Sequence, residues 1–103
     1  MVQEYGKKPF EEIVKENENV LVQYYADWCG PCQMLKPVLE DLSNEMTDVT
    51  FYRVNIEDHR DLAVNASVQS IPTVVFYKDG AEKAREVGFK PKHVLEGWLN
   101  SQK

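Results

Sequence analysis

Cys29 and Cys32 are the only thiols in the chain, and Gly30-Pro31 separates them. Thiols at this spacing can close a disulfide reversibly, supply half of a metal site, or staple a loop. A disulfide needs Cα atoms about 4.4–6.8 Å apart, which a two-residue gap can supply. A closed zinc site wants about four ligands. His59 and His93 are far along the chain and are not spaced as a zinc pair. A staple across so short a loop removes little entropy from the unfolded chain. Reversible thiol exchange is therefore the chemistry this spacing favours. One thiolate attacks a foreign disulfide, and the second thiol then attacks the first and releases the product.

Such chemistry needs a lowered thiol pKa, so the elements around the pair decide whether it is reactive. Val20-Leu21-Val22-Gln23-Tyr24-Tyr25-Ala26 is β-branched and aromatic, with Gln23 its one polar residue. Such a run reads as a strand buried on both faces, central in a parallel sheet. Downstream, Leu35, Val38, Leu39, Leu42 and Met46 recur at helical spacing, and Pro37 inside that run predicts a kink. The cysteines thus fall where a central strand ends and a helix begins. Unpaired N–H groups and a partial positive charge at a helix start favour thiolate over thiol. Cys29, at the mouth, is the expected nucleophile, and Cys32, less exposed, the expected resolving thiol. Pro31 suits a first helical turn.

The rest of the chain predicts a strand at 2–5 and a helix opened by Pro9 whose one apolar face carries Phe10, Ile13 and Val14. A strand at 49–55 and a short helix at 61–66 follow. Residues 73–78 and 82–87 read as strands joined by the Asp79-Gly80 hairpin turn. Gly88 interrupts, and Pro91 opens a last helix whose buried side is Val94, Leu95, Trp98 and Leu99. Alternating strands and helices followed by a hairpin imply an α/β architecture, a mixed sheet between helices.

At 103 residues the chain is expected to be a single domain, 1–103, large enough for a core without a metal or staple. The net charge is −5 and Lys7-Lys8 is the only adjacent basic pair, so the positive stripe of a nucleic-acid binder is missing. Nothing approaches the ~20 apolar residues that span a membrane, and the amino terminus does not read as a secretory signal. A cytoplasmic protein is expected.

Trp28-Cys29-Gly30-Pro31-Cys32, Pro37, Ile71-Pro72-Thr73, Asp79-Gly80 and Val87-Gly88 together resemble the thioredoxin family over nearly the whole length. The resemblance implies the thioredoxin fold, a central mixed five-stranded sheet flanked by helices on both faces. It also implies a protein-disulfide reductase without a cofactor, recharged by a thioredoxin reductase, acting on disulfide-containing client proteins, and a monomer. Gly-Pro between the cysteines resembles the reducing end of the family, with oxidases or isomerases and scaffold subunits as the rival roles. The resemblance makes Ile71-Pro72 a cis peptide facing the cysteines. It makes Trp28, Gly30, Pro31, Ile71, Pro72, Val87, Gly88 and Phe89 a substrate groove, for which core packing of Trp28, Val87 and Phe89 is the plainer alternative.

Five positions depart from the family pattern, Ser70 before Ile71 among them. Gln23 replaces a buried Asp regarded as moving the proton of the second thiol, and an amide cannot act as a base. Removing a buried carboxylate also removes a desolvation cost. Arg53 stands where a Lys is usual; with no Asp to pair with, it either lowers the pKa of Cys32 or points into solvent. Tyr25 replaces a Trp and is expected to pack rather than react. Phe89 replaces a small residue and would narrow or grease the groove.

Overall fold

The computed structural model describes residues 1–103. Its elements run β1 (Val2–Glu4), α1 (Phe10–Glu16), β2 (Asn19–Tyr25), α2 (Gly30–Glu45), β3 (Thr50–Asn55), α3 (Arg60–Asn65), β4 (Thr73–Lys78), β5 (Ala81–Val87) and α4 (Lys92–Gln102). Every predicted element is present, with many of the ends displaced by a residue, as expected of termini that fray.

The five strands form one sheet in the order β1-β3-β2-β4-β5. β1 and β2 run parallel to β3, whereas β4 is antiparallel to β2 and to β5. β2 is central and buried at all seven positions, which is why its sequence is almost continuously apolar. Because side chains alternate across a strand, β2 feeds two separate cores. Leu21 joins Leu35, Leu39 and Leu42 of α2, Phe51, Val74, Phe76, and Leu95 and Leu99 of α4. Val20, Val22 and Tyr24 join Ile13 and Val14 of α1 with Val54, Val75 and Tyr77. Each fully buried Leu or Phe contributes about 1.5–3 kcal/mol of apolar burial.

α2 spans sixteen residues as one helix with Pro37 inside it. Pro37 has no N–H, so the Gln33 carbonyl lacks its usual helical partner there. The hairpin turn predicted at Asp79-Gly80 is observed, with φ of 53° and 89°. Positive φ at both central residues is what a two-residue hairpin loop matching the strand twist demands. The last helix differs from expectation in one respect. Leu95 and Leu99 face the core and Trp98 is partly buried, but Val94 is 40% exposed. α4 meets the core along a narrow i, i+4 stripe, and Val94, about 100° around the helix from Leu95, lies outside it.

Candidate active site

The cysteine pair forms a disulfide with Cα atoms 5.2 Å apart. β2 ends at Tyr25, a short turn is closed by the Cys29 amide donating to the Ala26 carbonyl at 3.2 Å, and Cys29 is the N-cap of α2. Its Sγ accepts a hydrogen bond from the Cys32 backbone N–H at 3.2 Å. Sulfur thus fills the place a Ser or Asp oxygen takes at most helix starts, satisfying one of the orphan N–H groups. The same N–H and the helix dipole would stabilise negative charge on Cys29 once the disulfide opens. Pro31 occupies the first turn, where its missing N–H costs nothing. Cys29 retains 5% exposure and Cys32 none.

Around the disulfide pack Tyr25, Ala26 and, partly buried, Ile56 and Ile71. Ile71-Pro72 is a cis peptide, as the family resemblance implied. The Pro72 carbonyl accepts from the Gly88 amide at 2.7 Å, and Thr73 pairs with Val87 across β4 and β5. The segments 71–72 and 87–89 are therefore tied side by side. Gly88, at φ +88°, adopts a backbone that disfavours any side chain. Of the expected groove residues, Trp28 is 68%, Val87 49% and Phe89 36% exposed. Core packing is thereby excluded for these three. Gly30 and Pro31 are exposed, Ile71 and Gly88 intermediate, and Pro72 buried.

Glu57 was not legible as a site residue; its Oε2 accepts from the Trp28 indole N–H at 3.1 Å. Glu57 follows β3 and Trp28 follows β2, so only the parallel pairing of those strands brings the two ends together.

Gln23 is completely buried, and its Nε2 donates to the Cys32 carbonyl at 3.3 Å. Arg53 lies opposite Gln23 in the β2–β3 register, and Glu4 opposite Arg53 in β1–β3. Arg53 does not point into solvent: its side chain is only 11% exposed. Its Nε donates to Gln23 Oε1 at 3.4 Å, and its guanidinium lies 3.8 Å over the Tyr25 ring. It does have a carboxylate, Glu4, at 3.4 Å. The pairing was hidden because Glu4 is 49 positions away on the edge strand. Tyr25 packs as expected, and its hydroxyl also donates to Glu4 at 2.7 Å. Burial, followed by that hydrogen bond, pushes the Tyr25 phenol up to about 12. A cleft of about 370 Å³ beside this row is lined by Tyr25, Ala26, Asp27, Gln33, Lys36 and Arg53.

A disulfide between residues three apart, capping a helix at the carboxyl end of a central strand, defines a thiol–disulfide oxidoreductase. The thioredoxin family model matches residues 1–101. A thioredoxin of Mycoplasma genitalium is 41% identical over 94 residues, covering 91% of this chain and 92% of the relative. One from Chlamydia pneumoniae is 47% identical over 81 residues, 79% of each. Among solved structures, a mutant thioredoxin from Halobacterium salinarum superposes with a TM-score of 0.89 at 33% identity, covering 98% of this chain and 89% of that one. The chain belongs to the thioredoxin family and has its fold. No helix is long and apolar enough to cross a membrane.

Proposed function

We propose that the chain is a general reductant of protein disulfides, with Cys29 as the attacking thiol and Cys32 as the resolving one. The observation that carries this assignment is the N-cap position of Cys29, which alone of the two residues keeps any solvent exposure and whose sulfur accepts an N–H of the helix start. In the forward reaction the Cys29 thiolate attacks one sulfur of the client disulfide, whose bond electrons leave on the other sulfur. Cys32 then attacks Cys29, the Cys29–client bond breaks, and the client departs with two reduced sulfurs while Cys29–Cys32 becomes the disulfide.

Clients dock along Trp28, Gly30, Pro31, Ile71, Pro72, Val87, Gly88 and Phe89. Exposed apolar side chains beside irregular backbone suit an extended peptide held by strand-like hydrogen bonds. Phe89 adds apolar surface to one wall and biases the groove toward clients with an apolar residue near the reacting cysteine. Residues 1–103 act as one domain, a monomer of the cytoplasm, and a thioredoxin reductase returns the disulfide to the dithiol.

Insulin reduction driven by dithiothreitol tests the assignment. The parent is expected to reduce insulin well above the dithiothreitol background, and Cys29→Ser to fall to that background. Cys32→Ser should instead accumulate a mixed disulfide between Cys29 and the client. Trapping through Cys32 in the Cys29→Ser variant would reverse the roles. Replacing dithiothreitol by NADPH and a thioredoxin reductase tests the recharging step.

A further inference from the structure

Gln23 lies between two groups that can each bond in one way only. The Cys32 carbonyl accepts and cannot donate, whereas the Arg53 Nε–H donates and cannot accept. The amide is therefore forced into one orientation, Oε1 toward Arg53 and Nε2 toward Cys32. Arg53 is itself held, stacked on Tyr25 and bonded to Glu4. With the disulfide closed, Nε2 makes a single hydrogen bond although it carries two N–H groups. The second is buried with the rest of the side chain, beside the residue whose sulfur becomes an anion.

We propose that Arg53 is a positioning residue for the exchange reaction: by holding the Gln23 oxygen it keeps the spare amide N–H available to the Cys32 thiolate. The inference rests on Cys32 being the resolving thiol. In that step the Cys32 proton goes to water, and the sulfur lone pair forms the bond to Cys29. The Cys29–client bond breaks with its electrons on the client sulfur. Gln23 takes no proton; with its N–H groups on the Cys32 side it can favour the anion, whereas a flipped amide would turn oxygen lone pairs toward that residue. The charged groups around the row are Glu4 on β1, Arg53 on β3, Asp27 before α2 and Lys36 on α2, with the neutral Tyr25 phenol on β2. Ile56 and Ile71 close the other side without charge.

The test is the pH profile of resolution, measured as release of a chromophoric aromatic thiol from its mixed disulfide with Cys29. Arg53→Met is expected to move the profile's midpoint up by about one pH unit, the scale of a lost hydrogen bond or neighbouring charge. Arg53→Lys, which keeps a donor, should restore most of it. In a Gln23→Met background the Arg53→Met change should move the midpoint no further. An equal displacement in both backgrounds would mean that Arg53 acts through its own charge, and no displacement in either would mean that it is structural only; both overturn the proposal. Should these variants fold poorly, the unaltered chain still decides. One Gln23 side-chain amide proton should shift on reduction and titrate with the resolution profile, and two unmoved protons overturn the idea. A parent that fails to reduce insulin refutes the proposed function, whereas an active parent with additive variants refutes this inference alone.

Discussion

Gln23 and Tyr24 are neighbours on β2, both without solvent exposure, and they solve the same problem in opposite ways. Tyr24 points toward α1, where its hydroxyl meets that of Tyr77 at 3.0 Å. That pair is neutral and packs with Val20, Val22, Val54 and Val75 in one core. Gln23 points toward α2 and continues a row through Arg53 to Glu4, which reaches the surface at the sheet edge. A buried polar group must find a partner on either face. The tyrosine pair closes on itself across the sheet from the cysteines, whereas the open row begins at Cys32 and sets a charged group one side chain away from it. One residue of register separates a structural solution from one that touches the chemistry.

The largest expected effect that distinguishes the faces is alkaline. Burial raises the Tyr24 and Tyr77 phenols above their ordinary value of 10, Tyr24 further than Tyr25, which lies at about 12. Below pH 10 folded and unfolded chains both keep these protons, and the stabilisation is whole. As pH rises from 10 toward 12 the unfolded chain sheds protons that the folded chain retains, so it binds fewer and stability falls. Melting temperature followed upward from pH 9 should drop steeply across that window. Replacing Tyr24 and Tyr77 together by Phe should flatten the drop more than Tyr25→Phe. A melting temperature level to pH 12 would contradict the enclosure of the pair.

Next comes the cost of breaking the closed pair. Tyr77→Phe leaves the Tyr24 hydroxyl buried without a partner, and about 1–3 kcal/mol of stability should be lost in denaturant titration. Removing both hydroxyls should recover most of it, because no orphan remains. Neither change should move the pH profile of resolution, since the pair lies across the sheet from Cys32. A displaced profile would dissolve the distinction between the faces.

Most of the fold was legible before the structure, for reasons visible in particular residues. The apolar run 20–26, the Leu35–Leu39–Leu42 stripe and Asp79-Gly80 each carry a local rule, so their elements are where the spacing put them. The cysteine pair was legible too, because its position at a strand-to-helix junction follows from those elements. What escaped depends on pairings across long stretches of chain. Arg53 with Glu4, Trp28 with Glu57 and Tyr24 with Tyr77 lie on different strands or on the turns that follow them, and no local pattern marks them. Val94 escaped for a different reason: its apolar side chain fits the helical period, and only the width of the contact with the sheet leaves it outside.

The smallest expected effect lies at the outer end of the open row. Glu4 is half exposed, so water and salt screen its attraction for Arg53, and Glu4→Gln should cost less than about 1 kcal/mol. The guanidinium would still stack on Tyr25 and reach Gln23, which predicts a resolution profile close to that of the parent. Added salt should imitate the substitution, because it weakens the same exposed pair and leaves the buried contacts in place. Were Glu4→Gln to displace the profile as far as Arg53→Met does, the carboxylate rather than the aromatic ring would be what holds the guanidinium. The row would then be sensitive to its surroundings along its whole length, and the edge strand β1 would belong to the redox site.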